Sequence, residues 1–521
     1  MTVIHDQAKA QALSHEIDAL LAKGAILPVD PLQDPGGFYS KYFLVPKKTG
    51  GLRPILDLRG LNVFLKTIPF HMLSVRDVLQ TISPGDWITL VDLKDAYFHV
   101  PIASHHWQFL RFAFQGRHFQ FRVLPFGLSL SPRVFTRCVA AALSPLQAKG
   151  LKILPYLDDW LICAPTEAQA AADTHTLLHH IDLLGLRVNW QKSNLVPSQQ
   201  VTFLGVTMDS LTMTARPSPQ RVEGILEMLP SFLPGCVPPF VAYLRLLGKL
   251  TAAATVVPLG LLSLRPLQMW LNSLRLDPSR MQHRRRRLLV SNQCLGSLAQ
   301  WREAEFMTEG VPLGSLPARR EVVSTDASTT GWGASWQRQI ARGTWSPQEK
   351  LQHINALELE AVQRALRHFL PGLRRRHVLV WSDNTSVVFH INHQGGTRSI
   401  ILLRLTQKLL TWAAPLFSSL RAAHIPGVQN VPADILSRGR PPPGEWRLHP
   451  EVVGVIWEKY GIAAVDLFAS RETTHCPLWF SLADSASPLG QDAHDWPRVL
   501  LYAFPPLPLI GPTLLRVLQE P

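Results

Sequence analysis

The sequence predicts a multidomain chain of α+β and α/β units, and three observations carry that reading. With 521 residues, 46% of them hydrophobic, the chain is long enough for roughly three to four domains of about 150 residues each. Apolar, β-forming runs end in carboxylates at four places, residues 87–92, 154–159, 322–326 and 378–383. Helical patterns follow these strands, at 167–184 and from Asn355 onward. Composition narrows the function classes. A formal charge of +14 and a pI near 9.8 give a basic surface suited to polyanionic partners. The five cysteines (Cys138, Cys163, Cys236, Cys294, Cys476) form no C-x-x-C pair, so neither a disulfide framework nor a zinc ribbon is expected. The expected compartment is intracellular, cytoplasmic and/or nuclear, with no signal peptide and no transmembrane segment.

The stretch 154–163 organises the rest. Asp158 and Asp159 lie between apolar arms, where a hairpin tip is expected. Alone, the pair fits an ordinary turn equally well, because Asp is a common turn former. A second apolar strand ends in Asp92, with Tyr97 five residues on. Two strand-end acid sites in one domain can hold two divalent metals. Tyr156-Leu157-Asp158-Asp159 resembles the catalytic box of reverse transcriptases, and Val91-Asp92 through Ala96-Tyr97 resembles their first carboxylate motif. Between them, residues 124–132 with Val134 and Phe135 are similar to the loop and helix that lie along template and incoming nucleotide. Three boxes in family order make a specific signal. The resemblance implies a right-hand polymerase (fingers, palm, thumb) followed by an RNase H-like domain.

Residues 1–30 read as an N-terminal amphipathic helix ending near Gly24, with Leu13, Ile17 and Leu20 on its packing face. Fingers and palm are expected over 31–212. Two apolar strands flank a basic Gly-Gly tip with Lys47, Lys48 and Arg53, which suits an ordinary solvated hairpin or a cationic finger. The resemblance makes Arg53 the phosphate clamp and Lys47 or Lys48 its helper. It also lays the Tyr97 ring under the sugar, excluding a 2′-hydroxyl and so favouring dNTPs, a role compatible with a half-buried core aromatic. Residues 109–114 and 119–123 read as a hairpin. The loop beyond it carries Phe126, where many viral members have Gln, and Gly127, which permits close backbone approach. By resemblance Lys192 protonates the leaving pyrophosphate, and residues 203–205, on a strand, form the primer grip.

Thumb and connection are expected over 213–318, built from short helices. The run from His283 to Arg287 there suits a solvated face or a contact with nucleic-acid phosphates. Over 319–440 the order of acids resembles RNase H, with Asp326, Glu358, Asp383 and Asp434 as the four carboxylates, His424 on a mobile loop, and Asn430 among the substrate-binding residues. Glu360 is the competing helix acid; it points about 200° away from Glu358.

A proline-rich linker opens the stretch 441–521, in which 465–471 and 502–506 resemble the region after RNase H in DIRS-type retrotransposons. Part of it is similar to a methyltransferase box but has Ala503 where an acid or amide belongs, so the tail is expected to be non-catalytic. DIRS-type is the expected subfamily, gypsy-type the next. The resemblance implies an RNA-directed DNA polymerase and ribonuclease H that copies retroelement RNA by two-metal chemistry with Mg²⁺, Mn²⁺ being the alternative. Expected partners are an RNA template, a DNA primer, the RNA/DNA hybrid and dNTPs, with no membrane, and with a recombinase or integrase supplied by another protein. The rival of another class is a catalytically silent nucleic-acid-binding remnant of a retroelement. A host RNase H with an unrelated N-terminal domain conflicts with the motifs of 42–205.

Overall fold

The computed structural model describes residues 2–46, 52–315, 317, 319–337, 339–437, 447–471, 473–481, 487–489, 496–505 and 509–519. The chain folds as two compact units. One holds residues 1–260, 287–289 and 299–316; the other holds 261–286, 290–298 and 317–521. The stretch 213–318 is therefore shared between them.

In the first unit α1 (Gln7–Ala22) is capped by the Asp6 side chain and buries Leu13, Ile17 and Leu20. Its end at Gly24, with φ of 64°, follows the expected pattern, but the expected helical span of 1–30 is too long. Residues Ile26–Val29 are a strand, β1, whose pairing supplies what its weak local propensity lacks. With β2 (Tyr39–Pro46) and β3 (Leu52–Asp57), and with two strands that come later in the chain, it builds a five-stranded sheet. The four-residue helix α2 (Arg59–Asn62) follows.

The palm sheet centres on β4 (Trp87–Asp92). The hairpin β5 (Arg111–Phe114) and β6 (Arg117–Phe121) then completes the first sheet in the order β1-β6-β5-β2-β3. Next come α3 (Ser131–Ala148), β7 (Lys152–Tyr156), β8 (Asp159–Ala164) and α4 (Glu167–Leu183). With β9 (Asn194–Ser198) the palm order is β7-β8-β4-β9. Strand β8 is buried along Trp160–Ala164 because it is central and covered on both faces; its run of consecutive apolar residues is the sequence trace of that position. Leu13, Ile17 and Leu20 of α1, Phe112, Phe119, Tyr97, Phe135 and Trp160 share one core.

A third sheet contains β10 (Gln200–Phe203), β11 (Val206–Asp209), β12 (Thr214–Pro217) and β13 (Val311–Pro312). Leu204 and Gly205 were expected on a strand, but they form the turn between β10 and β11, with φ of 49° and 73°. Two positive φ values in a two-residue loop match the twist of a hairpin. Short helices follow at Pro219–Leu226 and Phe240–Ala253.

The second unit carries β14 (Glu321–Ala327), β15 (Gly331–Trp336), β16 (Gln339–Thr344), β17 (His377–Ser382) and β18 (Ser419–His424) in the order β16-β15-β14-β17-β18. The first three strands pair antiparallel; β14, β17 and β18 pair parallel. Helix α5 (Ile354–His368) crosses between β16 and β17, and α6 (Val431–Ser437) packs on β14 and β15. Gly333 permits that packing, since a Cβ there would meet the Ala433 carbonyl and Leu436. Beyond residue 446 lie a helix, Pro450–Tyr460, and a small parallel sheet of Val465–Asp466, Leu478–Trp479 and Leu501–Tyr502. The proline linker expected at 441–444 lies outside the described residues.

Candidate active sites

Antiparallel pairing of β4 with β8 runs from Trp87 opposite Ala164 to Asp92 opposite Asp159. Two strand-end carboxylates therefore become direct cross-strand neighbours. Asp158 occupies the β7–β8 turn beside Leu157, whose φ is 51°. The Asp158 carbonyl accepts a hydrogen bond from Leu93 N–H at 2.8 Å, which ties the turn to the residue after Asp92. The Trp160 indole N–H donates to the Leu157 carbonyl at 2.8 Å and braces the turn from inside the core. From the far side, Asn189 N–H donates to the Asp92 carbonyl at 2.8 Å and Asp92 N–H to Ser193 Oγ at 3.0 Å. Lys192 Nζ stands 4.0 Å from Asp92 Oδ2 with its side chain 69% exposed. Burial, then Asp158, then Asp92 push the Asp159 carboxyl up to about 6. A cluster this acidic gains by holding cations, and its hard oxygen donors fit divalent ones.

Asp92, Asp158, Asn189 and Lys192 line a cleft of about 560 Å³ together with Phe126 and Gly127. Phe126 is exposed, and its ring centre lies 4.9 Å from that of Tyr97. Tyr97 is buried at 8% exposure and meets Phe135 edge-on at 5.4 Å; burial, then Asp158, raises its hydroxyl. Gly127 has φ of 96° and faces the Leu56 carbonyl. Asn62 holds this loop in place: its amide donates to the Gly127 carbonyl at 2.9 Å and accepts from Ser129 N–H at 2.8 Å. Lys47 and Lys48 lie outside the described residues, as does the side chain of Arg53, whose backbone pairs with Val45.

In the second unit Asp326 and Asp383 leave the carboxyl ends of adjacent parallel strands, two residues beyond the pair Ser324–Trp381. Glu358 reaches them from α5. Each of the three offers a carboxylate oxygen within 4.8 Å of the other two. Glu358 is buried, its Oε2 has no hydrogen-bond partner, and burial, then Asp326, then Asp383 push its carboxyl up to about 9. An orphaned buried oxygen facing two acids fits a hard divalent cation. Glu360 points elsewhere, pairing with Lys408 at 3.6 Å and Arg364 at 3.8 Å. Asn384 Nδ2 donates to Asn355 Oδ1 at 2.9 Å, fastening the start of α5 to the end of β17.

Three expectations for this unit change. Asp434, half-buried on α6, stands outside the triad of carboxylates. His424 is the exposed last residue of β18, paired with Ser382, because the parallel ladder extends through it; it is not on a loop. Asn430, expected among the substrate-binding residues, is 1% exposed and donates to the Thr325 carbonyl at 2.9 Å, so it braces the strand that carries Asp326.

The family model for reverse transcriptase (RNA-dependent DNA polymerase) matches residues 45–208, which enclose both polymerase acid motifs. This stretch is a reverse transcriptase domain. The enzymatic polyprotein of Figwort mosaic virus is 24% identical over 448 residues, covering 82% of this chain and 62% of that one. The transposon Tf2-3 polyprotein of Schizosaccharomyces pombe is 26% identical over 219 residues, covering 42% of this chain and 16% of that one. The chain thus spans less than two thirds of the length of these polyproteins. Among solved structures, a foamy viral protease-reverse transcriptase in complex with RNA/DNA hybrid aligns with a TM-score of 0.53 at 16% identity, over 81% of this chain and 54% of that one. That likeness shows the fold: the mixed α/β multidomain class expected from the sequence, with the polymerase architecture of reverse transcriptases. No helix of the described residues is long and apolar enough to cross a membrane.

Proposed function

We propose that the chain is an RNA-directed DNA polymerase with ribonuclease H activity, acting on retroelement RNA. The observation that carries the reading is the direct pairing of Asp92 with Asp159, with Asp158 on the adjoining turn, inside a reverse transcriptase domain. Asp92, Asp158 and Asp159 would hold Mg²⁺ in the polymerase site, and Asp326, Glu358 and Asp383 would hold it in the hydrolytic site, with Asp434 a fourth acid on α6 outside that triad. Mg²⁺ held by these carboxylates would supply activation of the attacking oxygen and stabilisation of charge on the phosphate.

The chain's own groups do the rest. Phe126 and Gly127 form the floor for the nucleotide, and the buried Tyr97 ring excludes a 2′-hydroxyl. Lys192, exposed beside Asp92, delivers a proton to the leaving pyrophosphate. Lys47, Lys48 and Arg53 approach the triphosphate from the finger tip. In the hydrolytic site His424, exposed at the strand end, aids product release. The substrates are an RNA template, a DNA primer, dNTPs and the RNA/DNA hybrid, to which the +14 charge gives a general attraction. The tail motifs at 465–471 and 502–506 support a DIRS-type over a gypsy-type origin. Deoxynucleotide incorporation on an RNA template primed with DNA tests the reading: Mg²⁺-dependent extension is expected, and binding of the template without extension would overturn it.

A further inference from the structure

The cleft beside the polymerase acids has a wall that its motifs do not supply. Glu16 and Leu20 of the N-terminal helix line it together with Asp92, Asp95 and Asp158. At the helix end, Lys23 Nζ lies 3.0 Å from each carboxylate oxygen of Asp95 and 5.8 Å from the centre of the Phe98 ring. Asp95 sits in the turn between Asp92 and Tyr97 with a left-handed backbone, φ 54°, which disfavours most side chains. The turn is thus fastened on one side by the palm, through Leu93 N–H to Asp158 O, and on the other by α1 through an ion pair.

Charge gives this contact its meaning. Four carboxylates line the cleft, Glu16, Asp92, Asp95 and Asp158, against the ammonium groups of Lys94 and Lys192. The divalent cations of the proposed mechanism would offset Asp92 and Asp158, whereas Asp95, which is not among the proposed metal ligands, would repel a polyphosphate. We infer that Lys23 is a positioning residue for nucleotide binding: it neutralises Asp95 and holds the 92–97 turn against α1, so that the cleft accepts a nucleoside triphosphate. The inference rests on the polymerase reading. It gives α1 a role beyond packing. The pair is partly exposed, 38% and 31% for the two side chains, so its share in stability is small and its loss appears in nucleotide affinity instead.

The test uses the full chain as parent, Lys23→Ala, Asp95→Asn and the double variant, reading KM for dNTP, kcat and melting temperature. Lys23→Ala should raise KM about fivefold, with kcat within about twofold and an unchanged melting temperature. The double variant should return KM toward the parent value, because no unpaired charge is left, and added salt should shrink the difference between Lys23→Ala and the parent. A KM unchanged in Lys23→Ala overturns the inference, and so does a double variant no better than Lys23→Ala, which would make the lysine's role one of packing. If Lys23→Ala does not fold, Lys23→Arg decides: it must keep the parent KM. A parent that incorporates no deoxynucleotide defeats the polymerase reading itself, an outcome distinct from active enzyme with an indifferent Lys23.

Discussion

Asp92 and Asp159 face each other as the last matched pair of the β4–β8 ladder. A shift of one residue in that register would send one carboxylate to the opposite face of the sheet and break the site. Burial supports the register on both faces: Val91, Trp160 and Ile162 reach one core, and Ile88, Leu161 and Cys163 reach another. Packing of an apolar hairpin thereby sets the position of two charges.

Lys192 tests the polymerase site without disturbing this core. Its side chain is mostly exposed and 4.0 Å from Asp92. Lys192→Ala should lower kcat for incorporation about 100-fold, with the melting temperature unchanged. An unaltered kcat in steady-state assays would remove the lysine from the chemistry.

Glu358 predicts how stability depends on pH when no cation is bound. Its folded carboxyl titrates near 9, against about 4.3 in an unfolded chain. Folding therefore takes up a proton between those values. The stabilisation is complete below about pH 4.3 and is lost as pH rises through 9. Melting curves in EDTA should fall across that window, and Glu358→Gln should flatten them while abolishing hybrid hydrolysis. Curves that rise with pH in the parent would contradict the assignment.

Asn430 predicts a structural defect. Removing its amide takes a hydrogen bond from the buried Thr325 carbonyl, so Asn430→Ala should cost about 1–2 kcal/mol of stability. The KM for hybrid should stay within about twofold. A large rise in KM with normal unfolding behaviour would return Asn430 to the substrate-binding residues.

Much of this was legible in the residues. The strands around Asp92, Asp158, Asp326 and Asp383 are apolar runs with acids at their ends, and the choice of Glu358 over Glu360 followed from the resemblance of Glu358-Leu359-Glu360-Ala361 to the family's Glu-Leu-x-Ala pattern, helical spacing then turning Glu360 away. What was illegible depends on long-range partners. Strand β1 has a four-residue span containing a proline and forms because β6 is there to pair with it. Asn62, Ser193 and Asn355 act by hydrogen bonds to atoms from 4 to 101 positions away, and no local pattern marks them. His424 and Asn430 were placed by motif order, which carries no information on whether a side chain ends exposed on a strand or buried against a carbonyl.

The central claim is that one chain carries two separate active sites. Asp158→Asn and Asp383→Asn, measured beside the parent for Mg²⁺-dependent synthesis and for hydrolysis of a labelled RNA/DNA hybrid, test it most directly. Loss of synthesis alone in the first and of hydrolysis alone in the second is the predicted result. Loss of both activities in either variant, with hybrid binding retained, or of neither activity in both, would contradict it.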